Sequence, residues 1–145
     1  IPVLGPGLSA VVRKREQVVI VDVGGDDAGA VALGRYAPEL CVSGYNMLYV
    51  YNHYRYLTRE AADAAALLED ICGASRLRAT HIVNNSNLGE ETGRACIAAS
   101  APACRELCRL SGLPLAFTAA PKAAAGEDEY PLRMLVHKPW ERQWE

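Results

Sequence analysis

Short apolar runs alternate with longer amphipathic stretches along this chain, and that alternation constrains its fold more than any other feature. Val18-Val19-Ile20-Val21 is a continuous β-branched run that stops at Asp22. Met47-Leu48-Tyr49-Val50-Tyr51 is a second, and His81-Ile82-Val83, ended by Asn84-Asn85, is a third. Leu115-Ala116-Phe117-Thr118 is a fourth, closed near Pro121, and residues 132–136 are a weaker fifth before Pro139. Runs without apolar–polar alternation fit strands covered on both faces, as parallel sheets are. The stretches between them read as helices. Helices are expected over 7–15 and 28–36, and Thr58 is placed to N-cap a third over 59–72. Within that third segment Ala61, Ala64, Ala65, Leu68 and Cys72 recur at three and four, and Gly73 is expected to stop it. Residues 91–111 are helical in composition, but Pro102 predicts a division into two helices, with Ser100 or Ala101 as the second cap and Gly112 as its end. Residues 122–129 read as an exposed loop.

Strand, helix, strand, helix, strand, helix, strand is the order of an α/β domain: a parallel sheet of about four to five strands, with right-handed crossovers through flanking helices. The 145 residues form one domain, 1–145, large enough to bury a core without a disulfide or metal staple. Several classes drop out on composition. A net charge of -2 with no basic stripe carries no nucleic-acid signature, and Arg13, Lys14 and Arg15 read as a solvated helix end. No apolar stretch nears the length of a membrane span. Five scattered cysteines (Cys41, Cys72, Cys96, Cys104, Cys108) read as reduced thiols of a cytoplasmic protein; Cys104 and Cys108 stand four apart and could face one partner, but no second Cys pair or His pair stands at zinc-site spacing. The chain opens at Ile1, which fits a fragment of something longer.

Ligands of open parallel sheets bind beyond the carboxyl ends of the strands. Asp22 at such an end is placed to hold Mg²⁺, a cation that selects oxygen ligands, or else to close a turn, while Gly24 and Gly25 let backbone approach a phosphate. Asp26 and Asp27 read either as further site carboxylates or as caps of the following helix. Three carboxylates so close would repel a bare phosphate, which favours a metal–nucleotide ligand. After the third run, Asn84-Asn85-Ser86-Asn87 offers amides whose donor and acceptor match an adenine edge, or else an ordinary turn. Asn52, His53, Tyr54 and Arg55 follow the second run, as an anion contact or as a loop with aromatic anchors. Neither a G-x-S-x-G elbow nor a G-x-x-x-x-G-K-[ST] phosphate loop occurs in the sequence.

The run from Val18 to Asp22, then Val23-Gly24-Gly25-Asp26-Asp27-Ala28-Gly29-Ala30 and Leu33-Gly34-Arg35-Tyr36, resembles the Walker B and switch region of ParA/MinD-like (CobQ/CobB/MinD/ParA-type) P-loop ATP-binding proteins. Tyr54-Arg55, Thr58, Ser75-Arg76-Leu77, the stretch from Asn84 to Thr92, Gly112-Leu113-Pro114-Leu115 and Pro139-Trp140 resemble later segments of the same branch. The resemblance implies a P-loop NTPase-like fold, an incomplete Rossmann-like three-layer sandwich, of which this chain is the C-terminal half without the Walker A region. It implies ATP and Mg²⁺ as ligands, Asp22 as the Walker B acid, Asn84 or its neighbour Asn85 as the reader of adenine, and Pro121 near the adenine pocket wall. Gly24-Gly25 replaces the Pro-containing switch of better-known members. Without a phosphate loop, hydrolysis by this chain is not expected. The competing expectation is a non-catalytic module whose exposed sheet edge pairs with another copy or a protein partner, giving a homo-oligomer. A flavodoxin-like small-molecule binder fits the alternation but explains Asp22 and Asn84 less well.

Overall fold

The structure is a computed structural model in which residues 17–133 are described. The helix expected over 7–15, the basic run Arg13 to Arg15, residues 134–136 of the weak fifth run and Pro139-Trp140 lie outside the described residues. Four strands form one sheet: β1 (Leu48–Tyr51), β2 (His81–Asn84), β3 (Leu115–Pro121) and β4 (Glu129–Leu132). They lie in the order β1-β2-β3-β4, and every neighbouring pair is parallel. The helices are α1 (Asp27–Leu33), α2 (Ala37–Ser43), α3 (Ala61–Ser75) and α4 (Arg94–Ser111), with a 3-10 turn at Gly34–Tyr36 joining the first two.

The core lies between the sheet and α3 and α4. Tyr49, Tyr51 and Ile82 point to one face, where they pack with Ala64, Leu68 and Ile71 of α3 and Cys104 and Leu107 of α4. Ala30 of α1 joins the same cluster. Gly34 lets the turn after α1 sit on the end of α3, because a Cβ there would stand 2.9 Å from the Ala74 carbonyl oxygen. The opposite face carries Val50, Val83 and Phe117 in one row across three strands, and Tyr130 extends it through a ring contact of 5.4 Å with Phe117. Val83 is buried between its neighbours, but Val50 is 56% and Tyr130 58% exposed. The packed layers among the described residues therefore number two, against the three-layer expectation.

Several local expectations need correction. Residues 18–23 join no strand: Val18 is 94% and Ile20 90% exposed, while Val21 and Val23 pack beside Leu33, Ala37 and Leu77. β-branched residues favour a pleated ladder but cannot supply the partner strand. Pro102 does not divide the third helical segment. α4 runs unbroken from Arg94 to Ser111, and the carbonyl that loses its bond is that of Ala98, an exposed residue that water can reach. Thr58 does not cap α3; its hydroxyl donates to the Asn52 carbonyl at 2.8 Å, and Glu60 occupies the cap position. α3 also continues past Gly73 to Ser75, with Arg76 taking the left-handed conformation at φ 55°. The fourth strand begins at Glu129, inside the stretch expected to be loop. Glu129 registers with Thr118, so the chain after Pro121 needs to return only three residues, and no crossover helix is required.

Candidate functional site

The strand order never reverses from β1 to β4, so no switch point, the usual crevice of such sheets, lies between described strands. The polar residues gather instead at the carboxyl ends of β1 and β2. Asn84 ends β2, 1% exposed, with every contact inside the protein. Its Nδ2 donates to Ser100 Oγ at 3.0 Å, and Ser100 in turn donates to the Ile97 carbonyl at 2.8 Å. Asn84 Oδ1 accepts from the Ser86 hydroxyl at 2.6 Å and from the Ser86 amide at 3.3 Å. Ser86 Oγ accepts from the His53 amide at 2.9 Å, which carries the chain of bonds from α4 through β2 to the loop after β1. Each hydroxyl proton in this relay has one acceptor, so its direction is fixed.

The loop after β1 is pinned further. Asn52 Oδ1 accepts from the Tyr54 amide at 2.9 Å, and Asn52 Nδ2 reaches the Asn87 carbonyl at 3.3 Å. Tyr54 OH donates to the Cys96 carbonyl at 2.7 Å in the first turn of α4, and burial raises its pKa. His53 Nδ1 stands 3.0 Å from the Arg59 carbonyl and 3.3 Å from the Tyr51 hydroxyl. Burial pushes the Tyr49 and Tyr51 phenols up to about 12, so both stay neutral donors at ordinary pH.

The Gly-Gly turn meets the same loop. A Cβ on Gly25 would stand 3.5 Å from Arg55 Nη1, which places residues 24–25 beside the end of β1. Asp26 caps α1, its Oδ1 accepting from the Gly29 amide at 2.8 Å, so the helix-cap alternative holds for it. Gly29 is required there, since a Cβ would come within 2.9 Å of the Gly24 carbonyl oxygen.

The four residues singled out from sequence end in different situations. Asn84 and Asn85 sit at the tip of β2. Asn84 is locked in the relay, whereas Asn85 is half-buried, donates its backbone amide to the Tyr51 carbonyl at 2.8 Å and accepts at Oδ1 from Asn87 Nδ2 at 3.4 Å. Pro121 ends β3 opposite Leu132, and its carbonyl accepts from Ala124 and Ala125 at 2.8 and 2.9 Å. Asp22 is exposed and outside the sheet, three residues before Gly25, which comes near the Arg55 side chain. Sequence reasoning missed Ser100, reading it as a helix cap. Its signal was present: it shares a helical face with Ile97, Cys104 and Leu107, where a hydroxyl needs a buried partner.

Among the described residues no group of three or more His, Cys, Asp or Glu side chains could hold a metal. No helix among the described residues is long and apolar enough to cross a membrane. No family model, curated protein or solved structure matches the chain.

Proposed function

We propose that this chain carries the metal-and-base half of an ATP site of the ParA/MinD-like kind. The observation that carries the reading is the convergence of three loops on one rim: the Asp22-to-Asp26 turn, the Asn52-to-Arg59 loop and the Asn84-to-Asn87 turn. Asp22 would contribute a carboxylate to Mg²⁺, Asn85 an amide to the base and Pro121 an apolar wall, with Asn84 holding the turn in place. The phosphates would contact this half only in part, since the sequence has no G-x-x-x-x-G-K-[ST] loop. Binding without turnover is therefore the expected behaviour. A thermal-shift titration with Mg-ATP tests it: a ligand at a hundred times its dissociation constant adds about 2.7 kcal/mol. A melting temperature unmoved by millimolar Mg-ATP would sink the proposal.

A second reading, a self-associating or partner-binding module, is favoured by one separate observation. Parallel sheets occur with both faces covered, yet Leu48, Val50, Phe117 and Tyr130 stay exposed on the face away from α3 and α4. Light scattering decides it: a monomeric mass at high concentration would remove self-association, whatever the ATP titration shows.

A further inference from the structure

Arg55 is a residue of the rim that the reading above leaves without a task, and its setting is that of a prepared cation. Most of the polar side chains around it in the loop are committed. Asn52 bonds Tyr54 and Asn87, His53 bonds Ser86, Tyr54 bonds Cys96, and Thr58 bonds Asn52. The Arg55 backbone is held at both ends, its amide donating to Asn52 at 3.2 Å and its carbonyl accepting from Thr58 at 3.1 Å. Its guanidinium, by contrast, is exposed and makes no hydrogen bond or ion pair among the described residues. The head group nonetheless comes near Gly25, its Nη1 standing 3.5 Å from where a Cβ would be.

We infer that Arg55 is the phosphate-contacting cation of this rim, donating to a nucleotide phosphate held over the Gly24–Gly25 turn; the inference rests on the ATP reading. Three physical points converge on it. Asp22 and Asp26 flank the turn, so an anion there needs positive charge close by, and among the described residues Arg55 is the cationic side chain brought to Gly25. A guanidinium presents paired N–H donors that match two phosphate oxygens, which an ammonium group cannot do. Its loop is already ordered by bonds to β2 and α4, so binding need not fix the backbone first. The Asn84–Ser86–His53 relay thereby gains a role, since it sets the height of the loop from which Arg55 projects.

The test uses the 145-residue protein with Mg-ATP and, separately, adenosine, each measured by calorimetry for wild type, Arg55→Ala and Arg55→Lys. Losing a hydrogen bond to a charged group predicts roughly tenfold weaker Mg-ATP binding in Arg55→Ala. Arg55→Lys should recover part of that loss, adenosine affinity should be unchanged, and the wild-type advantage should shrink in high salt. Equal Mg-ATP affinity in wild type and Arg55→Ala would overturn the role of Arg55 while leaving the nucleotide site standing. An equal loss for adenosine would show that Arg55 acts through the fold, which also overturns it. Absence of Mg-ATP binding to wild type would overturn both this inference and the reading beneath it.

Discussion

Replacing Asn84 by Ala separates a scaffold role from a base-reading one, and the structure sets the size of the effect. The variant removes the acceptor of the Ser86 hydroxyl and of the Ser86 amide in a place where Ser86 itself is buried. Ser100 loses an incoming bond but keeps its own donation to Ile97, so the damage falls chiefly on Ser86. A buried donor left without a partner costs about 1–3 kcal/mol, and the missing carboxamide leaves a small void as well. A loss of about 2–4 kcal/mol is therefore expected, a large share of the roughly 5–15 kcal/mol that holds a typical domain together. Urea denaturation measures it as a lower midpoint at unchanged slope. Ser100→Ala should cost less, about 1–2 kcal/mol, because only one Asn84 proton is stranded. The double variant should cost less than the two single changes added, since both break one chain of bonds. A stability within about 0.5 kcal/mol of wild type for Asn84→Ala would refute the reasoning. It would mean that the relay is not structural, and that the Asn84 amide is free for a ligand.

Two further outcomes are expected. Gly34→Ala should lower the melting temperature by several degrees. Its Cβ would press within 2.9 Å of the Ala74 carbonyl, and overpacking of that kind costs about 1–3 kcal/mol, more than the helix propensity it gains; a variant as stable as wild type would show that the turn and α3 can move apart. The hydrogen bond from Arg94, together with the Gly126 amide, holds the Glu129 carboxyl below its ordinary value of 4.5. A carboxyl lowered by folding stabilises above that ordinary value and loses its contribution as pH falls through the folded one. The stability gap between wild type and Glu129→Gln should therefore be full at neutral pH and close in acid; a gap that does not depend on pH would contradict the Arg94–Glu129 contact.

The sequence alone determined the alternation of strands and helices, the parallel sheet and the ends of the elements that carry local signals. The runs at 47–51, 81–83 and 115–118 became β1, β2 and β3 because each is apolar enough to lie inside a sheet whichever neighbour it meets. Gly112 ends α4 in the left-handed conformation that only its missing Cβ makes cheap, and Asp26 caps α1 through a bond three residues long. What spans many residues was decided by tertiary structure. Residues 18–23 are as β-branched as any strand, yet pairing needs a neighbour, which no local pattern encodes. Pro102 lies inside a helix because the carbonyl it orphans faces water. The bond of Asn84 to Ser100 and the approach of Arg55 to Gly25 join positions 16 and 30 residues apart, and only the closing of the chain on itself brought those atoms together.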